Sequence, residues 1–202
     1  MTEHNLIQAC DQSSWMKALQ LCGDYNIYHL PQYHLLAEQM GEGSPYLFFF
    51  ESNGSFAAMP FLLRPIENVD GLEDCRQNDI SSVYGYPGIA TSIKEDADNS
   101  NEFRVAFQFA LKNLFQHLSV VSFFSRSNPL LSTTWLLKGV AEIIKLSSTV
   151  AVDLSLTNKK QLEGMSKGHK YDIRKARRLG LVVKEDETFQ HIDEFIQIYN
   201  ET

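Results

Sequence analysis

A chain of 202 residues, 44% hydrophobic and 21% charged, can bury a substantial core as one large domain or two small ones, and its composition excludes a disordered or fibrous protein. A net charge of −7 excludes the broad positive field that a non-specific nucleic-acid binder needs. No apolar run reaches the roughly 18 residues of a membrane span, the N-terminus MTEHNLIQACD lacks the basic and apolar regions of an export signal, and Cys10, Cys22 and Cys75 are odd in number and scattered, which fits neither a disulfide framework nor a paired-cysteine metal site. The cytoplasm is the compartment these features predict.

The first helix is predicted over residues 11–22, where Trp15, Ala18, Leu19 and Cys22 repeat at helical spacing between the capping run Asp-Gln-Ser-Ser and Gly23. Pro31 opens a short second helix through Tyr33, Leu35, Leu36 and Met40 to Gly41. The period then changes. YLFFFE (46–51), the Asn53-Gly54 turn and SFAAMPFLLR (55–64) predict a β-hairpin, because Asn-Gly tolerates the positive φ angles of a two-residue turn. Ile80 to Tyr84 reads as a third strand ending in a tight Gly85-Tyr86-Pro87-Gly88 turn, after the irregular stretch 65–78. Phe103, Ala106, Phe107, Ala110, Leu111, Leu114 and Phe115 predict a long helix over 102–118 that covers a sheet. Val120 to Phe124 is an apolar strand, 130–140 is ambiguous, and TVAVDL (149–154) alternates as a half-buried strand does.

The most informative stretch is KGHKYDIRKARR (167–178). It holds six of the 18 basic residues and one of the 25 acidic ones, so the other 190 residues carry 12 basic against 24 acidic side chains. Leu162, Met165, His169, Ile173, Ala176 and Gly180 step by three or four along one face, and Lys167, Lys170, Arg174 and Arg178 along another. The pattern predicts a basic helix, a Gly180 stop, and a strand beginning at Leu181-Val182-Val183. The stripe is either a solvated face pairing with Asp172 and Glu163 or, as the local lack of acids favours, a grip for an anionic ligand, with Arg offering paired hydrogen bonds and Lys a point charge. A last helix is expected over 188–199, with Phe189, Ile192, Phe195, Ile196 and Tyr199 on one face. It reaches the last residues without a partner element, so the chain reads as cut from a longer protein, and the exposed face predicts a homodimer.

Further chemistry is sparse. The six histidines show no ligand spacing beside Cys or acids, so no metal and no tightly bound cofactor is expected. There is no Gly-Lys-Ser/Thr phosphate loop, no Rossmann glycine fingerprint, no nucleophile elbow, and Asp79 and Asp153 have no spacing that marks acid–base work, so catalytic residues stay unassigned. Tyr84 and Tyr86, set between glycines, either close a strand end or wall a ligand, since glycine lets a ligand approach the backbone and tyrosine offers a stacking face with a polar tip. Arg126, in SRSNP after an apolar strand, either lines a cleft or makes a surface ion pair.

The succession TVAVDLS, KGHKYDIRKARRLGLVV and FIQIYNET resembles the FemA/FemB/FemX-like aminoacyltransferases and related FemAB-type N-acyltransferases, and YLFFF, SSVYGYPG and the FSR-NP turn resemble their first half. The resemblance implies an α/β (α+β) fold: a GNAT-like mixed, largely antiparallel sheet flanked by helices over 1–155, with a second GNAT-like unit opening at 156–202. It implies transfer of an acyl or aminoacyl group, from acyl-CoA or aminoacyl-tRNA as co-substrate, to an amine of a cell-envelope, peptidoglycan or lipid-linked glycan precursor. By similarity, Arg174, Lys175 and Arg178 place positive potential near an anionic donor or acceptor, and Tyr84 and Tyr86 shape the acceptor groove; Lys170 and Arg126 join them as substrate-binding candidates from the residue pattern alone. The first unit shows no Gly-rich acyl-CoA pyrophosphate loop. With the second unit incomplete, the 202 residues are expected to be inactive alone, and the alternative is a non-catalytic module that binds an anionic precursor or a protein partner.

Overall fold

The computed structural model describes residues 2–68 and 70–202, which fall into two compact units, 1–147 and 148–202. In the first, a mixed sheet of six strands is flanked by helices, as the sequence predicts. Its elements are β1 (Thr2–Gln8), α1 (Gln12–Cys22), α2 (Pro31–Gln39), β2 (Ser44–Ser52), β3 (Ser55–Pro65), β4 (Asn78–Ser81), β5 (Ala90–Thr91), α3 (Ser100–His117) and β6 (Val120–Phe124). The sheet order is β1-β2-β3-β4-β6, antiparallel except for the parallel β4–β6 pair that the α3 crossover connects, and β5 pairs with β3.

The hairpin forms where Asn53-Gly54 predicts it, with φ angles of 51° and 75°. YLFFF (46–50) is a continuous apolar run because both faces of β2 are covered. Phe48 and Phe50 point to one side, with Ala57, Met59 and Phe61 of β3, and meet Phe103, Phe107 and Leu111 of α3. Leu47, Phe49 and Ala58 point to the other side and meet Trp15, Ala18 and Leu19 of α1. The predicted α1 is capped as expected: the Asp11 carboxylate accepts from the Ser14 amide, and Gly23 leaves the helix at φ 89°.

Several expectations are corrected. β1 escapes the sequence reading because TEHNLIQ has no clean alternation, yet it pairs with β2 along its whole length, from Thr2 opposite Ser52 to Gln8 opposite Tyr46. The strand expected over 80–84 runs from Asn78 to Ser81 instead, since the chain turns out of the ladder after Ser81. The ambiguous stretch 130–140 contains a 3-10 turn, Thr134–Leu137, whose Trp135, Leu136 and Leu137 are buried against the α3 side of the core.

In the second unit, α4 (Asn158–Gly164), α5 (Lys167–Arg178) and α6 (Ile192–Asn200) form. The apolar stripe read from Leu162 to Gly180 spans two helices rather than one. Met165 is extended, and Ser166 restarts the helix by accepting from the His169 amide. Neither TVAVDL nor Leu181-Val182-Val183 forms a strand. Val150 is 95% and Val183 98% exposed, so the β-prone residues have no ladder to join, and propensity alone does not make a strand. The last helix starts at Ile192, not Thr188. The Asp186 carboxylate holds the amides of Gln190 and His191, and Phe189 sits at φ 55°, which keeps that turn out of the helix.

Candidate functional site

The site-forming irregularity of the sheet lies along β3. Its C-terminal half pairs with β4 (Leu62 opposite Ser81 to Pro65 opposite Asn78) and its N-terminal half with β5 (Ala57 opposite Thr91, Ala58 opposite Ala90). β4 and β5 are therefore one interrupted strand. Eight residues, 82–89, span what three residues of β3, 59–61, cover, so five residues are in excess and loop out of the ladder. β3 tolerates the gap at a proline: Pro60, without an amide N–H, is the middle residue of the unpaired three.

The excess residues form a fixed loop. Ser82 donates its amide to the Phe124 carbonyl at 3.0 Å and accepts the Arg126 amide on Oγ at 3.3 Å. Gly88 donates to the Arg126 carbonyl at 3.1 Å. Asn128, buried at 6% exposure, donates its side-chain amide to the Tyr86 carbonyl at 3.0 Å, and its Oδ1 accepts the amides of Leu130 and Leu131 at 2.8 and 3.2 Å. The loop after β6 is thus laced to the bulge. Two glycines are demanded by close approach: a Cβ on Gly88 would lie 2.9 Å from the Asn128 amide nitrogen, and one on Gly85, at φ 107°, would run into the Tyr28 ring.

Tyrosines converge on this loop from two directions. Tyr28, from the α1–α2 connection, meets Tyr33 edge-on at 5.5 Å and Tyr86 edge-on at 6.3 Å between ring centroids. The Arg126 guanidinium lies 5.5 Å above the Tyr84 ring. Tyr84 is 73% exposed and Tyr86 42%. Burial pushes the Tyr33 phenol up, and Tyr28, Glu42 and Tyr84 add to the shift, so those groups lie within electrostatic reach of its hydroxyl. Tyr84, Tyr86 and Arg126, singled out in the sequence, are therefore brought together. Of the two sequence readings of Arg126, the ion pair is absent among the described residues: its cation faces an aromatic ring instead.

Tyr28, Tyr33 and Asn128 were missed. Tyr28 lies in a connection with no periodicity and is 56 residues from Tyr84 in sequence, and the Asn before Pro129 reads only as a turn residue.

The interlock carries a prediction. Gly85→Ala should cost about 2 kcal/mol, from the left-handed backbone and the collision with Tyr28. In a Tyr28→Ala background the same change should cost measurably less, a coupling that urea denaturation of the four variants reads directly.

Beside the bulge, an open cleft of about 630 Å³ is lined by Thr91, Ile93, Lys94, Asp96, Leu131 and Trp135, among others. The chain approaching α3 here carries Glu95, Asp96 and Asp98, and Glu102 lies in the first turn. Carboxylates at a helix N-terminus satisfy the positive end of the dipole that a phosphate would otherwise use. Lys138 pairs with Glu95 at 2.6 Å, leaving the stretch net acidic. No glycine-rich cradle stands in this place.

Behind the tyrosines are two buried histidines. His29 and His34 are fully buried, and Trp15 ties them into the core by donating Nε1 to the His29 carbonyl at 2.8 Å and packing its ring 5.2 Å from that of His34. His34 Nε2 donates to the Tyr28 carbonyl at 3.0 Å, and His29 Nδ1 is engaged by Asn26, whose amide lies 3.2 Å away. The second nitrogen of each ring, His29 Nε2 and His34 Nδ1, is buried with no hydrogen-bond partner among the described residues. Burial pushes both imidazoles down to about 4, against backbone hydrogen bonds that act the other way.

The remaining predicted residues lie in the second unit. Lys170, Arg174, Lys175 and Arg178 are on α5, with Lys170 Nζ donating to the Glu163 carbonyl at 2.9 Å and Arg174 Nε to the Lys170 carbonyl at 3.0 Å. Arg174, Lys175 and Arg178 are exposed and Lys170 is half-buried. Leu162, Met165, Ile173 and Ala176 form the half-buried side of this unit, and His169, expected there, is exposed. None of the basic side chains makes an ion pair among the described residues. No three His, Cys, Asp or Glu side chains among them gather to hold a metal ion, and no helix among them is long and apolar enough to cross a membrane.

No family model matches the chain, and no curated protein does. Among solved structures, the chain is similar to a ribosomal-protein-alanine N-acetyltransferase from Brucella melitensis biovar Abortus 2308, with 11% identity and a TM-score of 0.40 over 74% of this chain and 97% of that one.

Proposed function

We propose that the chain is part of an N-acyltransferase of the GNAT-like, FemAB type, whose first unit holds the amine acceptor. The observation that carries this reading is the loop 82–89. The interrupted strand opposite β3, laced to the loop after β6, sets an aromatic and cationic surface beside the parallel β4–β6 pair of an otherwise antiparallel sheet. A rigid surface of this kind works by orientation. It brings the amine against an activated carbonyl and meets developing charge with fixed dipoles, tyrosine hydroxyls and the Arg126 guanidinium. The motif resemblance around α5 supports the FemAB assignment, and the exposed basic side chains Arg174, Lys175 and Arg178, with Lys170, supply potential for an anionic donor or acceptor. The donor is an acyl-CoA or an aminoacyl-tRNA, and the acceptor an amine of a cell-envelope or lipid-linked glycan precursor.

The acidic approach to α3 favours a second reading in one respect. Carboxylates in that position repel a donor pyrophosphate, so the first unit by itself serves as a binding module and does not hold the donor.

Calorimetric titration of the full chain with acyl-CoA, charged and uncharged tRNA and a nucleotide-linked amino sugar, at two salt concentrations, tests the proposal. One class should bind saturably and weaken with salt. Arg174→Glu with Arg178→Glu should lower that affinity at least tenfold while the circular dichroism spectrum stays unchanged. A folded double variant with unaltered affinity removes α5 from the binding of that ligand, and a chain that binds no class at all refutes the reading.

A further inference from the structure

We infer that the tyrosine surface of the first unit takes a zwitterionic ligand, with an ammonium group held among Tyr28, Tyr33 and Glu42 and a carboxylate held by Arg126, as a short peptide or free amino acid presents them. This rests on the acyltransferase reading only in making that ammonium group the acceptor amine once it has lost its proton.

The surface has two ends of opposite character. At one, the Arg126 guanidinium stacks above Tyr84, 5.5 Å from the ring centroid, and is in no ion pair among the described residues. A guanidinium lying over a ring keeps its N–H edges free, and those edges match a planar carboxylate with two parallel hydrogen bonds. At the other end, the Tyr28 and Tyr33 rings meet edge-on at 5.5 Å, and the Glu42 amide donates at 3.0 Å to the carbonyl of Ala37, one helical turn along α2 from Tyr33, which sets a carboxylate in electrostatic reach of the Tyr33 hydroxyl. Aromatic faces beside a carboxylate attract an ammonium ion. Arg64 also lies in reach of Glu42, but it is held in a two-point pair with Asp79, Nε at 2.8 Å and Nη2 at 2.5 Å, so Glu42, Asp79 and Arg64 together remain net negative.

Tyr86 meets Tyr28 edge-on at 6.3 Å, and its backbone is fixed by Asn128, two residues beyond Arg126. Nothing in this arrangement has to be ordered on binding: Gly85 is held against Tyr28 and Gly88 against Asn128, so the ligand meets a preformed surface. A ligand of one charge leaves one end unmatched, and a zwitterion satisfies both.

The test uses the full chain with its tyrosines labelled by ¹³C in the ring, titrated with L-alanyl-L-alanine, with its N-acetyl derivative and with its C-terminal amide. The dipeptide should shift the Tyr84 and Tyr86 ring signals saturably, and either blocked form should bind at least tenfold more weakly. Arg126→Gln should bind the dipeptide and its amide alike, and Glu42→Gln should bind the dipeptide and its N-acetyl form alike, each with an unchanged methyl spectrum. Equal binding of a blocked and an unblocked peptide by the unaltered chain, or no shift of these rings up to the solubility limit, overturns the inference. Dipeptide binding by a chain that binds none of acyl-CoA, charged tRNA and a nucleotide-linked amino sugar would refute the acyltransferase reading and leave the zwitterion site standing. Saturable binding of a donor by a chain that takes blocked and unblocked dipeptide alike would do the reverse.

Discussion

The stability of the first unit should fall steeply as the pH drops from about 6.5 to about 4, because His29 and His34 are buried as neutral rings. An imidazolium needs an acceptor for each of its two N–H groups, and each of these rings has one buried nitrogen with no hydrogen-bond partner among the described residues. The unfolded chain takes up the two protons near the ordinary histidine value of 6.5, whereas the folded chain resists them down to about 4. Between those limits the unfolded state binds more protons, so unfolding free energy rises with pH. The stability is fully present above the upper limit and lost on the way to the lower one. The loss is on the order of 3 kcal/mol for each ring, from the free-energy equivalent of a pKa shift. Urea denaturation at steps between pH 7.5 and 4.5 measures it. His29→Gln and His34→Gln should each remove about half of the slope, whatever they cost at neutral pH, and a flat profile for the unaltered chain would show that the rings are solvated. The consequence reaches the site, since the same short segment carries Tyr28 beside His29 and Tyr33 beside His34.

Phe107→Ala should cost about 3–5 kcal/mol, the range for emptying a large aromatic position in a packed core. Phe107 is completely buried under the middle of the sheet, 5.7 Å from the Phe48 ring and edge-on to Phe50 at 5.6 Å. Those two residues are successive α3-facing positions of β2, so the cavity would lie where the backbone is fixed on both sides by β1 and β3 and has little room to collapse. Phe109, on the opposite side of α3 and 68% exposed, is the internal comparison: its replacement by Ala should stay within about 0.5 kcal/mol. The urea midpoint should move for Phe107→Ala with the slope unchanged. Equal costs for the two would mean that α3 is not seated on the sheet as described.

Where local chemistry decides conformation, the sequence was sufficient. Asn53-Gly54 demands a two-residue turn, Asp11 and Gly23 bracket α1, and the period of Phe103 to Leu114 marks the face of α3 that meets the sheet. The basic character of α5 was equally plain, because charge asymmetry is a property of composition and needs no fold to exist. Tertiary structure decided the rest. β1 exists because β2 offers it a ladder along its whole length, while TVAVDL and Leu181-Val182-Val183, with better strand composition, find none in their unit and stay irregular. The candidate site shows the same division. Tyr84, Tyr86 and Arg126 were visible from their glycines and their strand end, but the five-residue excess is a difference in register between two halves of β3, and register is a relation between strands. Tyr28 and Asn128 gain their places only when the chain returns to the bulge, so the contacts that fix the surface are non-local and leave no periodic or compositional mark on the residues that make them.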